Sequence, residues 1–277
     1  MNGFRFQRRY QGPLKAAILD WAGTTIDYGC LAPAVTFVDV FKRRGVPITT
    51  EEAREPMGAA KRVHIQRIVQ NPAVAKRWQE THGKSCTEEE IEAMYQDFIP
   101  RQIACLAEYA DLIPGTVETI EKLRKRGLKI GSTTGYTEEM MRVVTAEAKK
   151  QGFEPDNLVT ATDVPAGRPE PWMALGSAPA MRVYPMEAIV KIGDTLADID
   201  EGLNAGMWSI GLVKTGNEIG LNEADVKSLP LEEYRRRSDR AYERMTQAGA
   251  HYVVDSISGV IPCLDDIDRR LASGERP

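Results

Sequence analysis

Short apolar segments alternate with helical patterns along most of this chain, and this alternation constrains the fold more than any other feature. The first segment is LKAAILD at residues 14–20, and the later ones are LKIGSTT, LVTA, AIVKIGD, WSIGLV and HYVVDS. Each has the length of a buried strand, and helical patterns fill the intervals. The alternation predicts an α/β fold whose core is a doubly wound, Rossmann-like parallel sheet with right-handed crossovers.

One long interval interrupts this alternation. Between the first two predicted strands the chain shows only helical patterns, some with capping signals such as Thr87 before three glutamates. We therefore predict an α-helical cap domain at residues 30–108, inserted after the first strand of a core that comprises residues 1–29 and 109–277.

The composition excludes several functional classes. The chain of 277 residues has a net charge of −4, and its basic residues are dispersed, so we expect no nucleic-acid partner. It has neither a signal-peptide pattern nor an apolar run of about 18 residues, so we expect no membrane span and no export. Its four cysteines form no CxxC pair, which is typical of reduced thiols in a cytoplasmic protein.

Polar residues follow three of the predicted strands. Asp20 follows AAIL, Thr134 ends LKIGSTT and Asp194 follows IVKIG. One aspartate after a strand is more often a turn or cap residue, but three such ends in an open parallel sheet predict a ligand crevice. Mg²⁺ would relieve the repulsion between two carboxylates and keep positions for water and phosphate oxygens. Asp198, one helical turn after Asp194, is a candidate for holding the water shell of the metal.

The segments DWAGTTID, STTGYT, GRPEPW and GDTLADI resemble the four signature segments of the haloacid dehalogenase superfamily. The resemblance extends from about Leu14 to the last strand, and the helical insert occupies the position of the superfamily's cap domain. It implies that Asp20 is a nucleophile that attacks phosphorus and forms an aspartyl phosphate, which water then hydrolyses.

The same resemblance implies roles for other residues. Thr134 would hydrogen-bond the phosphoryl oxygens, and Arg168 would supply the positive charge for which many relatives use lysine. Mg²⁺ would be bound by Asp20, Asp194 and the backbone carbonyl of Ala22. These roles agree with the requirements of phosphoryl transfer, which are in-line positioning and neutralisation of the oxygens.

Ala22 departs from the pattern of the superfamily's phosphatases. In those enzymes the residue two positions after the nucleophile is usually an aspartate, which protonates the departing alkoxide. An alanine there predicts either an inactive site or a leaving group that is not an oxygen.

The segment EPMGAAKRVH places Met57, Lys61 and His64 at spacings of four and three, which on a continuous helix lie along one face. Taken singly, a helical lysine is usually a solvated surface charge, a histidine is usually a surface or half-buried residue, and a methionine is usually a core residue. Together with DWAGTTIDYGC, however, EPMGAAK resembles the phosphonoacetaldehyde hydrolase (phosphonatase) family.

In that family the cap lysine forms a Schiff base with the aldehyde of the substrate, and the phosphorus–carbon (P–C) bond is broken. The resemblance implies that Lys61 has this role, and that the reaction yields acetaldehyde and phosphate during 2-aminoethylphosphonate degradation. Direct cleavage would expel a carbanion, whereas an iminium accepts the electrons as an enamine. Because no oxygen departs, no acid is needed, which accounts for Ala22.

The amine of Lys61 must be neutral to attack an aldehyde. Its ordinary pKa near 10.4 leaves about one molecule in a thousand neutral at pH 7, so we expect burial and a cationic neighbour to lower the pKa to about 7–8. Arg62, His64 and Mg²⁺ are candidates for that neighbour. We also expect His64 to move protons during imine formation and Tyr136 and Cys30 to line the pocket, although Cys30 is equally typical of a small apolar filler.

Three other functions are considered. A phosphomonoesterase or phosphomutase of the same superfamily is disfavoured by Ala22. A haloacid dehalogenase works without metal, which would leave Asp194 and Asp198 without a purpose. A non-catalytic phosphoacceptor module would not need the cap. The resemblance further implies a homodimer formed through the cap, and the apolar face AVTFVDVF of the first cap helix is the predicted contact surface.

Overall fold

The computed structural model describes residues 9–277, so the first eight residues of the predicted core lie outside the described part. One parallel sheet has the strand order β3-β2-β1-β4-β5-β6, which is the Rossmann order, and the predicted fold class is confirmed. The strands are β1 (Ala16–Leu19), β2 (Lys129–Thr134), β3 (Asn157–Thr160), β4 (Ile189–Gly193), β5 (Trp208–Leu212) and β6 (Tyr252–Val254).

Helices cover both faces of this sheet. In β1, Ala17 and Leu19 belong to one apolar cluster, whereas Ala16 and Ile18 belong to another on the opposite face. Strands that are buried on both faces are typically continuous apolar runs, as AAIL is. The helices of the sheet domain are α6 (Thr116–Lys125), α7 (Glu138–Lys150), α8 (Trp172–Ala180), α9 (Leu196–Asn204), α10 (Glu223–Ser228), α11 (Leu231–Gln247) and α12 (Val260–Ala272).

The interval between β1 and β2 is helical, and the division into cap and core stays a prediction. Its helices are α1 (Leu31–Arg43), α2 (Thr50–Arg54), α3 (Lys61–Gln70), α4 (Pro72–His82) and α5 (Glu88–Leu106). Thr87 caps α5 with a capping box, as its sequence indicates. Phe37, Trp78 and Phe98 from these helices and Trp21 from the loop after β1 belong to one apolar cluster, so the helical insert packs directly on the sheet domain.

The expectation that Met57, Lys61 and His64 share one continuous helix is wrong. The helix α2 ends at Arg54 and α3 begins at Lys61. Between them Gly58 has a φ of +90°, and a Cβ there would lie 2.4 Å from the hydroxyl oxygen of Thr195. This close approach of the cap to the core requires a glycine turn, which interrupts an otherwise helical sequence.

The predicted dimer surface on α1 is also corrected. The side chains of Phe37, Val40 and Phe41 are fully buried within the chain itself, so most of the apolar face of AVTFVDVF is already covered. Val35 remains, with 54% of its surface exposed. Separately, within residues 9–277 we find no helix that is both long and apolar enough to cross a membrane.

Candidate active site

The three predicted strand ends lie side by side. The strands β2 and β4 both pair with β1, in parallel register. Asp20, which follows β1, and Thr134, which ends β2, therefore line one cavity, and Asp194, which follows β4, lies close to Asp20. Lys61 of the cap lines the same cavity. The convergence that the parallel sheet predicts is found, and the cap closes it from above.

Three carboxylates form the floor of the site. Asp20, Asp194 and Asp198 each offer an oxygen, and these oxygens lie within 4.8 Å of one another, an arrangement that is compatible with a metal ion. Gly23 is required in the loop after β1, since its φ is +81° and a Cβ there would lie 2.1 Å from a carboxylate oxygen of Asp194. The backbone N–H of Asn217 donates to the same oxygen over 2.8 Å.

Two buried cations face these carboxylates. Arg168 contacts Asp20 over 2.8 Å through Nη2, which is the position that the resemblance implies for it. Lys191, in the middle of β4, contacts Asp198 over 2.9 Å. Both cations also contact the carboxylate of Glu201, over 2.8 Å and 3.1 Å. Each buried cation is therefore shared between carboxylates, as buried charges must be.

The cluster nevertheless holds more negative groups than positive ones. Four buried carboxylates face two cations, so when the amine of Lys61 is neutral, as imine formation requires, an excess of two acidic groups remains for one divalent cation to balance. Burial and then the neighbouring carboxylates Asp20 and Asp198 raise the pKa of Asp194 well above its usual range. A bound divalent cation would neutralise these charges, so the residues fit a hard metal ion.

Asp198 is already engaged by protein groups at both oxygens. One oxygen accepts a 2.6 Å hydrogen bond from the hydroxyl of Thr195, at the N-terminus of α9. The other contacts Arg168 over 3.0 Å and Lys191 over 2.9 Å. This arrangement suits a residue that orients the cluster more than a direct metal ligand, in line with the water-shell role expected of it.

Lys61 is the first residue of α3 and is only 4% exposed. Its Nζ lies 4.6 Å from the ring centroid of Tyr136 and 5.8 Å from that of Phe37. Burial, with the charge of Arg168 acting in the same direction and that of Asp20 opposing it, lowers the pKa of Lys61 to about 8. Roughly one molecule in ten therefore has the neutral amine at pH 7.

Arg62, one of the neighbours expected to lower the pKa of Lys61, does not do so. Its guanidinium is partly exposed and pairs with Glu88 over 2.7 Å and Glu92 over 2.9 Å, both in α5. The cation that acts on Lys61 is Arg168, which comes from the core. A sequence gives no sign of this, because the two residues are brought together only when the cap packs on the sheet.

His64 lies one turn after Lys61, and its ring stacks on Phe37 with a centroid distance of 3.8 Å. Its Nε2 is 2.7 Å from the carbonyl oxygen of Ala53, which can only accept, so Nε2 carries the proton. Nδ1 is buried and has no hydrogen-bond partner among the described residues. Burial and the charge of Lys61 lower the pKa of His64 well below its usual range, so the imidazole is neutral.

The remaining predicted residues line the same cavity. They are Ala22, Cys30, Met57, Thr134 and Tyr136. Burial raises the pKa of the Cys30 thiol, which is therefore protonated, and the buried hydroxyl of Tyr136 has no partner within the described chain. The cavity has a volume of about 20 Å³, room for about one water molecule.

Sequence reasoning missed Lys191 and Glu201. A local signal exists for each, since a lysine inside a buried strand needs a partner and Glu201 follows Asp198 by three residues on α9. Lys191 donates a hydrogen bond to the hydroxyl of Thr133 over 2.8 Å, and this hydroxyl donates to Glu201 over 2.9 Å. Glu201 holds Arg168 against Asp20, and Lys191 binds both Glu201 and Asp198.

Comparisons with known proteins agree with this geometry. The family model of haloacid dehalogenase-like hydrolases matches residues 14–206. The chain is 46% identical over 277 residues to the phosphonoacetaldehyde hydrolase of Nitratidesulfovibrio vulgaris, covering 100% of this chain and 99% of that one. The chain belongs to the phosphonoacetaldehyde hydrolase family of haloacid dehalogenase-like hydrolases. The resemblance of its motifs is thus confirmed.

Other members of the family match as well. The crystal structure of a phosphonoacetaldehyde hydrolase-like protein from Oleispira antarctica superposes with a TM-score of 0.96 at 43% identity and covers 100% of both chains. A bifunctional phosphonoacetaldehyde hydrolase/aminoethylphosphonate transaminase of Clostridioides difficile is 46% identical over 266 residues, which are 96% of this chain and 42% of that protein.

The buried ammonium of Lys61 should destabilise the fold. Its pKa falls from 10.5 to about 8 on folding, so the penalty is complete below pH 8 and disappears between pH 8 and 10.5. We expect Lys61→Met to raise the free energy of unfolding at pH 7 by about 2–3 kcal/mol, and the gain to shrink as the pH approaches 10. Urea denaturation at pH 7 and 9.5 measures this. Lys76→Met, at an exposed lysine of α4, is the control, and a gain independent of pH would contradict the expectation.

Proposed function

We propose that this protein hydrolyses the P–C bond of phosphonoacetaldehyde, giving acetaldehyde and phosphate. The observation that carries the proposal is a buried lysine with a pKa near 8 in the same small cavity as Asp20, while the residue two positions after Asp20 is an alanine. A phosphomonoesterase needs an acid for its alkoxide and has no use for a neutral amine. The names of the relatives support the same reaction.

The first step uses Lys61. Its neutral Nζ adds to the aldehyde carbon, and uptake of one proton with loss of the aldehyde oxygen as water gives an iminium between Nζ and that carbon. Neutral His64 would relay protons through Nδ1, which is buried without a hydrogen-bond partner among the described residues and belongs to the residue one helical turn after Lys61. The faces of Tyr136 and Phe37 near Nζ accommodate the positive iminium.

In the second step Asp20 attacks phosphorus. The new bond joins a carboxylate oxygen to phosphorus as the P–C bond breaks, and its electrons enter the iminium to give an enamine. Protonation of the enamine carbon and hydrolysis of the resulting imine then release acetaldehyde and restore Lys61. Water hydrolyses the aspartyl phosphate. Arg168 and Thr134 would hold the phosphoryl oxygens, since both line the cavity beside Asp20.

We propose that the metal is Mg²⁺, held by Asp20, Asp194 and the carbonyl of Ala22, with Asp198 behind them. The all-oxygen donor set and the two uncompensated negative charges support this hard ion. When bound, Mg²⁺ would neutralise the phosphoryl oxygens and reduce their repulsion of the Asp20 carboxylate.

An assay of both products tests the function. With phosphonoacetaldehyde and Mg²⁺ we expect equal amounts of acetaldehyde and phosphate, and no phosphate after a chelator has removed the metal. Lys61→Arg keeps a cation but cannot form an imine, so it should lose at least about 10³-fold in kcat/KM. The phosphate ester of glycolaldehyde is the matched substrate with a P–O bond. If that ester is cleaved faster than the phosphonate, and Lys61→Arg leaves both rates unchanged, the phosphomonoesterase reading replaces ours.

The proposed proton relay has its own test. His64→Gln can keep the hydrogen bond to the carbonyl of Ala53, but it removes the ring and its stack on Phe37, so the melting temperature should fall. We expect kcat of the folded variant, measured well below that melting temperature, to fall about 10²-fold. Unchanged turnover in His64→Gln would exclude the relay.

We propose that the enzyme is a homodimer formed through the cap, with Val35 at the contact. Val35 is among the large hydrophobic side chains that the described residues leave exposed, at 54%. Val35→Lys should convert the dimer to a monomer in light scattering at micromolar concentration. Leu231→Lys, at a residue of the core that is 60% exposed, should leave the dimer intact. A dimer that survives Val35→Lys would place the interface elsewhere.

We propose a cytoplasmic enzyme that acts after a transaminase in 2-aminoethylphosphonate degradation. The cysteines, all unpaired in the described chain, agree with a reducing compartment. The bifunctional Clostridioides difficile relative carries both activities in its name. Recovery of the protein with the fluid released by osmotic shock of intact cells would contradict this location.

A further inference from the structure

One buried arginine of the cap joins three segments of the chain. Arg54, the last residue of α2, is 9% exposed. Its Nη1 donates to the carbonyl oxygens of Gly29 over 2.9 Å and Cys30 over 3.2 Å, in the link between β1 and α1. Its Nη2 donates to the carbonyl oxygen of Gly220 over 3.0 Å, in the loop between β5 and α10 (residues 213–222, the β5–α10 loop).

The side chain of Asn217, in the β5–α10 loop, both accepts a hydrogen bond from Arg54 and donates one to it. Its side-chain oxygen accepts from Nη1 of Arg54 over 3.0 Å, and its side-chain nitrogen donates to the backbone carbonyl of Arg54 over 3.3 Å. All of these atoms are buried. The side chain of Asn217 therefore binds the end of a cap helix, while the backbone of Asn217 belongs to the core.

That backbone reaches the acidic cluster. The N–H of Asn217 donates to the Oδ2 of Asp194 over 2.8 Å. The preceding Gly216 packs against the same side chain, since a Cβ at Gly216 would lie 2.4 Å from the Cβ of Asp194. Thr215 donates to the carbonyl of Gly23 over 2.9 Å, so the loop also supports the turn after β1. The orientation of Asp194 thus depends on how the β5–α10 loop is held.

We infer that Arg54 is a positioning residue for the metal site, which it orders through Asn217 and Asp194 when the cap is packed on the core. The inference rests on the proposed function only in taking Asp194 as a metal ligand. Because outer partners fix the geometry of ligating carboxylates, their loss typically weakens metal binding about 10- to 100-fold. By thermodynamic linkage, a bound metal would in turn favour the packed cap to the same extent.

Arg54→Lys tests this without a change of charge. A lysine cannot donate at once to the link, to Asn217 and to Gly220, because an ammonium lacks the planar fork of a guanidinium. We expect Mn²⁺, used as the probe and followed by electron paramagnetic resonance without substrate, to bind at least tenfold more weakly. Asn217→Ala should weaken binding similarly, and the double variant should be no weaker than the weaker single variant, because both act through one connection.

Arg77→Lys is the matched control. Arg77, in α4, contacts Glu52 of the same helix α2 over 2.6 Å, but it has no hydrogen bond or ion pair with the β5–α10 loop or Asp194 among the described residues. It should lower the melting temperature slightly and leave Mn²⁺ binding unchanged.

Two results would overturn the inference. One is Mn²⁺ binding by folded Arg54→Lys and Asn217→Ala that equals that of the parent. The other is equal weakening by Arg77→Lys, which would indicate general loosening of the cap. Neither depends on the P–C assay, so failure of the proposed function and failure of this inference are distinguishable.

Discussion

The unbalanced charge buried at the C-terminal ends of β1 and β4 is the constraint on which the rest of the site depends. Carboxylates packed this closely repel one another, and a buried charge without a partner costs several kcal/mol. Arg168 and Lys191 offset part of the repulsion, and Glu201 holds them in place. The remaining negative charge favours a divalent cation, and a cation beside Asp20 favours an anionic substrate. The same excess of buried carboxylates thus accounts for the paired cations and for the proposed metal site.

The cap places Lys61, the second of the two proposed reactive groups, in the same cavity as Asp20. Lys61 lies at the start of α3 because the chain turns sharply at Gly58 to pass close to Thr195. Burial then keeps a usable fraction of its amine neutral. The same burial that makes Lys61 nucleophilic destabilises the folded state below pH 8, so reactivity is obtained at the expense of stability. The small volume of the cavity agrees with the proposal that the cap closes over the core during the reaction.

Sequence could predict the features that depend on local pattern. The convergence of Asp20, Thr134 and Asp194 follows from apolar runs that each end at the same edge of a parallel sheet. Pro56 and Gly58 are local signals for the break between α2 and α3, but the close approach to Thr195 that requires the glycine could not be predicted from the sequence. The contact of Arg54 with Asn217 joins residues 163 positions apart, and no local pattern marks either one. The sequence pattern of α1 predicts a contact with a second subunit, because a sequence does not show that most of this apolar face is covered within the chain itself.

The central claim is that Lys61 forms an imine with the substrate while Asp20 waits to attack phosphorus. Borohydride added to the protein with phosphonoacetaldehyde and Mg²⁺, followed by peptide mass spectrometry, tests this most directly. The account predicts a reduced adduct on the peptide that contains Lys61, and none on the peptide that contains Lys191, the buried lysine of β4. Release of acetaldehyde and phosphate by a protein in which no adduct forms at Lys61 would contradict it.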